Sequence, residues 1–309
     1  MNTWPIAGHT LSTPHQTVPE ALELFRSAGL DAAEVIWQDD YRSGISESDN
    51  ADELSAIRAA SRRTEMPIIG LTPYMSGINS HDADERRRDI ERFRACIRDA
   101  RTLGAGIVRV YAGAYTPDQV SERPAKWAHL VASLKSLAPF AADHGVTLAV
   151  ENHFNTLTMT AEETVRLVDE VDDPAVRILY DQTNLTFTHS EHESDAIPLQ
   201  AGRIAHVHVK DLVFVDRDRP FSASSVATVS GEERAVRSRV VGEGEMDWPS
   251  ILSALATTGY DGQLSLEYEY RWHPQDLEPP ITGLRRGADH IRSIIADLQS
   301  AATRTEARS

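Results

Sequence analysis

The sequence predicts an α/β fold, a single (β/α)8 or TIM barrel, and three observations predict it. Short β-branched runs alternate with longer amphipathic stretches from one end of the chain to the other. Eight such runs are present, the number of parallel strands that closes a barrel. No linker, low-complexity segment or abrupt change of composition divides the 309 residues. Residues 1–301 therefore read as one barrel domain, and the polar stretch 302–309 as a disordered tail.

The first run, 5–12 (PIAGHTLS), leads on to Thr13 and Pro14 without a glycine-rich phosphate turn. That absence argues against the doubly wound sheet of dinucleotide-binding proteins. Helix 19–28 follows, opening on Pro19 and stopping at Gly29. After runs 32–37 and 68–75, a helical stretch over 82–103 ends at Gly104. Run 107–113 precedes a stretch over 124–144, where Trp127, Leu130, Leu134, Leu137 and Ala141 recur at helical spacing before Gly145. Run 147–153 comes next, and Thr160 with Glu163 forms a capping box for the following helix. Runs 176–184 and 204–211 lead into an unusually long connection, 212–247, with Arg217, Arg219, Pro220 and a serine-rich stretch. A connection of that length is more often a lid or binding element than a passive link. Its G-x-G at 242–244 lacks a third glycine and is weak evidence for a dinucleotide. Run 264–270 is the eighth, and Leu284, Ala288, Ile291, Ile295 and Leu298 mark the last helix.

Hydrophobic content of 41% with charged content of 25% suits a chain that buries a sizeable core. A net charge of -16 works against binding nucleic acid or anionic membranes. No apolar run is long enough to span a bilayer, and no basic-then-apolar leader follows Met1. The single cysteine, Cys96, falls in a helical pattern with Ile90, Phe93, Ile97 and Ala100, so we expect core packing and a reducing, cytoplasmic setting.

Strands covered on both faces should read as continuous apolar runs. Four of these runs break that rule near their C-terminal ends. In 147–153, Thr147, Ala149, Glu151 and His153 share a face opposite Leu148 and Val150. In 176–184, Leu179 and Asp181 oppose Ile178 and Tyr180. In 204–211, His206, His208 and Lys210 oppose Val207 and Val209. In 264–270, Ser265, Glu267 and Glu269 oppose Leu264, Leu266 and Tyr268. The apolar face must pack under the helices, so the polar face lines the barrel interior, its last members at the rim.

Ionised groups left unpaired there would be costly, and a divalent cation removes the problem. Glu151, Asp181, His208 and Glu267, one from each of four consecutive runs, are thus candidate ligands of one metal ion. One acid at a strand end is often a solvated loop residue, and one histidine is often a core residue. Four at equivalent strand ends are much less easily explained that way. Three carboxylates and an imidazole suit Mn²⁺ or Mg²⁺, with Zn²⁺ as an alternative. His153, Lys210 and Asn184 are candidate substrate contacts. His206 is a fourth, but it lies one layer deeper, where support of the site or packing is the favoured role. Glu34, in run 32–37, is open to either a functional or a structural reading.

At these residues the sequence resembles the sugar phosphate isomerase/epimerase superfamily with the xylose isomerase-like TIM barrel. That superfamily includes the AP endonuclease family 2, or endonuclease IV, type of repair enzyme. The resemblance rests on LAVENH at 148–153, ILYD at 178–181, IAHVHVKD at 204–211, GEGEMDW at 242–248, and GYDG at 259–262 leading to Leu266 and Glu267. It implies one divalent ion, Mn²⁺ first and Mg²⁺, Co²⁺ or Zn²⁺ as alternatives, bound by Glu151, Asp181, His208 and Glu267. It also implies a small sugar substrate and a homo-oligomer, with a partner subunit as an alternative.

Such an ion can stabilise the enediolate formed when an α-hydroxyketone loses a proton. Glu151 and Glu267 are the candidate catalytic base and acid. Reprotonation on a neighbouring carbon gives an isomerase or epimerase, the favoured reading. Expulsion of a β-leaving group gives a lyase, as in inosose dehydratases and C-glycoside-cleaving relatives. A non-catalytic, metal-stabilised binding subunit is the third reading. The ketose 3-epimerase branch carries a histidine, a glutamate and an arginine where this chain has Asn184, Leu157 and Phe214, which argues against free ketohexoses. Runs three and four end in Pro73, Tyr74 and Tyr111, Ala112, without the extra histidines of the repair branch.

Overall fold

A computed structural model describes residues 4–189, 191–219 and 234–306. In chain order its elements are β1 (Ile6–His9), α1 (Val18–Ala28), β2 (Ala32–Trp37), β3 (Gly44–Ile45), α2 (Ala51–Thr64), β4 (Ile68–Thr72) and α3 (Ala83–Leu103). They continue with β5 (Ile107–Val110), α4 (Arg123–Asp143), β6 (Thr147–Glu151), α5 (Ala161–Val171), β7 (Val176–Tyr180), α6 (Gln182–Phe187) and α7 (Glu193–Gln200). The last are β8 (Ile204–Val209), β9 (Asp211–Phe214), β10 (Val236–Arg239), α8 (Trp248–Thr257), β11 (Leu264–Leu266) and α9 (Pro280–Glu306).

The parallel order β1-β11-β8-β7-β6-β5-β4-β2 closes on itself, because β1 pairs with both β11 and β2. The result is an eight-stranded parallel barrel with helices outside it. The two-residue β3 is an extra partner of β2. Every residue of β1 and β2 is buried, as strands covered on both faces must be. Outside the barrel, Phe25, Phe93 and Trp248 are fully buried in the apolar layer beneath the helices.

Local chemistry fixes where the helices begin and end. Thr17 and Glu20 form a capping box at α1, and Thr160 and Glu163 do the same at α5. Gly29 ends α1 with φ of 84°, a left-handed conformation that glycine adopts without a Cβ clash.

The structure corrects several sequence-based boundaries. Residues 182–184 are helical rather than extended, because the Asp181 carboxylate accepts from the Asn184 backbone N–H at 3.0 Å and caps α6. β11 covers only the first three residues of run 264–270. The long connection contains β9 and β10, paired as an antiparallel hairpin. Its G-x-G is a turn tied to Asp211, whose carboxylate accepts from the backbone N–H groups of Gly242 (2.9 Å), Gly244 (3.1 Å) and Met246 (3.1 Å). A Cβ on Gly244 would overlap that carboxylate. Pro220 and the serine-rich stretch lie outside the described residues. α9 runs to Glu306, so residues 302–306 extend a helix where the sequence led us to expect disorder. Ala301 and Ala302 are strong helix formers that carry it onward. Residues 307–309 lie outside the described part. No described helix is long and apolar enough to cross a membrane.

Candidate active site

The C-terminal ends of the strands converge on one acidic cluster. β6 ends on Glu151, β7 stops one residue before Asp181, β8 carries His206 and His208, and β11 stops one residue before Glu267. Glu151, Asp181, His208 and Glu267 are all buried, and each offers a ligand atom within 4.8 Å of the other three. His208 is oriented by its far side: Nε2 donates to Glu34 Oε2 at 3.1 Å. Its Nδ1 lies 3.5 Å from Glu151 Oε1 and 3.4 Å from Glu267 Oε2, buried and, among the described residues, without a hydrogen-bond partner. Glu34 reaches this point from β2, whose register against β4 shifts between Ala33 and Glu34. Such irregularities re-aim side chains beside functional sites. A buried, unpartnered imidazole nitrogen among three carboxylates fits a hard divalent ion.

Cationic groups flank the cluster on two sides. Arg109, from β5, donates to Glu151 Oε2 at 3.2 Å and to the Pro73 carbonyl at 3.0 Å. Its guanidinium lies over the rings of Tyr74 (4.3 Å) and Tyr111 (4.7 Å). Lys210 Nζ sits 2.9 Å from Asp181 Oδ2, 2.8 Å from Glu267 Oε2 and 3.6 Å from Glu269 Oε1. The neighbouring Asp211 is engaged instead by the 242–246 turn.

Burial raises both glutamates, yet the cations outweigh it. Arg109, His153 and His208 bring Glu151 down to about 2, and Lys210 and His208 hold Glu267 well below its usual range. Asp181 goes the other way, to about 6, through burial and the charges of Glu267 and Glu151, although Lys210 is adjacent. Burial lowers His208, but Glu267 and Glu34 more than compensate and favour its charged form. Lys210 is likewise lowered by burial and raised further by Asp181, Glu267 and Glu269. His9 lies at the edge of this group, its Nδ1 accepting from the Leu11 backbone N–H and its Nε2 donating to Thr72 Oγ1 at 2.9 Å. Burial brings it down to about 4.

Above the cluster a cavity of about 310 Å³ opens to solvent, with Arg109, His153, Lys210, Glu267 and Glu269 at its floor. His153 Nδ1 faces the Phe154 carbonyl at 2.6 Å, so Nε2 is left to accept from the Tyr111 hydroxyl at 2.9 Å. Burial lowers the pKa of this histidine, favouring its neutral form.

The structure brings together the four residues singled out as ligands and sets His153 and Lys210 in the cavity. Asn184 stands behind the cluster, its amide 3.3 Å from Glu151 Oε1 and 3.1 Å from the Asn152 carbonyl. His206 is a correction. It is fully buried beneath the cluster, its Nε2 3.2 Å from Glu34 Oε2, and it does not reach the cavity. Arg109 was missed, although an arginine between Val108 and Val110 in a buried strand was a visible signal. Glu269 appeared only as a face partner of Glu267, and His9 only as part of the first run.

Residues 22–294 match the family model of the xylose isomerase-like TIM barrel. Among curated proteins, the chain is 30% identical over 144 residues to an inosose dehydratase of Geobacillus thermodenitrificans, covering 47% of each chain. It is 31% identical over 183 residues to the rhizopine catabolism protein MocC of Rhizobium meliloti, covering 57% of this chain and 54% of that one. The chain thus spans about half the length of the curated relatives it matches. Among solved structures, a D-tagatose 3-epimerase-like protein superposes with a TM-score of 0.74 at 16% identity, over 96% of this chain and 99% of the other. An L-ribulose 3-epimerase superposes with a TM-score of 0.71 at 18% identity, over 99% and 98%. At such identities the superpositions speak for the fold. With the closed barrel and a family match over most of its length, the chain belongs to the xylose isomerase-like TIM-barrel family.

Proposed function

We propose that this chain is a divalent-metal-dependent isomerase or epimerase that moves a proton on a carbon next to the carbonyl of a keto-sugar or related polyol. The observation that carries this reading is the cluster of Glu151, Asp181, His208 and Glu267 within 4.8 Å, beside a cavity that Arg109, Lys210 and Glu267 help to line. Those four residues would hold the ion, Mn²⁺ first among hard cations, and the bound ion would polarise a substrate carbonyl and its neighbouring hydroxyl.

The chain's own groups divide the remaining work. Glu151 and Glu267 are both held ionised, so each begins as a base rather than an acid. Arg109 and Asn184 engage the two oxygens of Glu151, which fixes its orientation and lowers its basicity. Glu267 lines the cavity floor, so it is the better placed of the two to take the α-proton. Lys210, 2.8 Å from Glu267, carries protons that can be donated to a developing oxygen charge. His153, neutral and with Nε2 toward the Tyr111 hydroxyl, adds a second donor–acceptor pair at the rim.

A lyase is the second reading, supported by the similarity to inosose dehydratase and by an ammonium poised to protonate a leaving group. One experiment separates these readings. Candidate keto-sugars and inositol ketones are incubated with the Mn²⁺-loaded chain and followed by mass spectrometry. An isomerase conserves substrate mass, and a dehydrating lyase lowers it by one water. Glu267→Gln should abolish turnover, Glu151→Gln should sharply reduce it, and chelation should abolish it. Full activity in both variants would remove the assignment.

A further inference from the structure

The floor of the cavity and its outer wall differ in chemistry. Among the described residues, the charged groups that line the cavity are those of its floor, Arg109, Lys210, Glu267 and Glu269. The wall is a run of aromatic rings drawn from the loops after four different strands. Tyr111 and Tyr74 have centroids 6.1 Å apart, Tyr74 and Tyr41 stack at 5.9 Å with planes 18° apart, and Tyr41 meets the Trp272 ring edge-on at 6.5 Å. The inner end is fastened to the acidic cluster, since Arg109 touches both Tyr111 and Tyr74 while paired to Glu151. The outer end reaches solvent, where Trp272 is 40% exposed. Arg271 lies over Tyr41, 3.9 Å from its centroid, and holds that ring in place.

A single sugar carries hydroxyls on nearly every carbon, and the floor supplies their partners. Further out, Tyr111, Tyr74, Tyr41 and Trp272 line the cavity, and what it offers there is mostly apolar. A large, partly exposed tryptophan at the mouth of a cavity is the kind of residue that recognises a ring. We propose that Tyr111, Tyr74, Tyr41 and Trp272 form a subsite for a second ring, presenting a flat apolar face, joined to the sugar that reacts at the floor. The substrate class is then a two-ring compound, the second ring being an aromatic group or another sugar, rather than a free monosaccharide. This rests on reading the floor as a sugar site.

The test uses ligands that lack the ketone and cannot react, so its outcome does not depend on the proposed chemistry. Methyl β-D-glucopyranoside, phenyl β-D-glucopyranoside and cellobiose are titrated into the Mn²⁺-loaded full chain by calorimetry. At least one two-ring ligand should bind on the order of tenfold more tightly than the methyl glucoside. An advantage confined to the phenyl compound identifies an aromatic ring, and one confined to cellobiose a second sugar. Trp272→Ala and Tyr41→Ala should remove the advantage, leave methyl glucoside affinity unchanged, and Trp272→Phe should restore part of it. Equal affinity for all three ligands, binding by none, or an advantage that survives both alanine variants would overturn the subsite.

Discussion

Glu34 Oε2 stands 3.1 Å from His208 Nε2 across the barrel interior, both side chains fully buried. The contact leaves Nδ1 as the only nitrogen of His208 turned toward Glu151 and Glu267. Carboxylates in this position fix the tautomer of a metal-binding histidine and raise its basicity. Glu34→Gln should therefore weaken Mn²⁺ binding by about 10–100-fold while the chain stays folded. Chelator competition gives the affinity and circular dichroism the fold. Unchanged affinity would show that the pair serves packing alone.

Arg109 and Glu151 form a pair with almost no exposure. Removing one partner of such a pair leaves an uncompensated buried charge, a loss of about 3–5 kcal/mol. Arg109→Met should destabilise the metal-free chain by that order. The loss should shrink once Mn²⁺ is added, because the ion can neutralise Glu151 instead. Urea unfolding with and without metal measures both, and equal losses in the two conditions would contradict the shared position of ion and arginine.

His9 contributes a pH dependence of definite sign. Burial lowers it from 6.5 to about 4, so the unfolded chain binds a proton between those values that the folded chain does not. This contribution is fully present above pH 6.5 and is lost as the pH falls toward 4, about 3 kcal/mol in all. Metal-free His9→Gln should lose less stability than the parent between pH 7 and pH 4.5. Parallel losses measured by urea unfolding would show that another group carries the effect.

Cys96 is buried in α3, and burial pushes its thiol well above the usual range. A thiol reagent at pH 8 should leave the native chain unmodified and label one thiol in denaturant. Rapid labelling of the native chain would mean that α3 opens readily.

Much of the site was legible because it violates a burial rule. Glu151, Asp181, His208 and Glu267 are polar residues at the ends of strands covered on both faces, and alternation alone put them inside. The partner of the deeper histidine was not legible. His206 shares a face with His208 but lies about 6.6 Å further down the strand, enough to place it under Glu34 instead of in the cavity. Nor was the extent of each strand, because side-chain capping by Asp181 starts a helix where the β-branched pattern continues. The aromatic wall was invisible for a different reason. Tyr41, Tyr74, Tyr111 and Trp272 lie in loops far apart in sequence, and only the closed barrel brings those loops to one rim.

Proton transfer between Glu267 and a substrate carbon leaves a trace whichever product follows. With Mn²⁺ and candidate keto-sugars and inositol ketones in deuterium oxide, proton NMR reports the loss of the signal beside the carbonyl. We expect deuterium to enter that carbon with the parent chain, and to enter at least 100-fold more slowly with Glu267→Gln, a loss typical of removing a positioned base. Exchange at the parental rate in the glutamine variant, with metal bound, would contradict the role of the cluster in moving that proton.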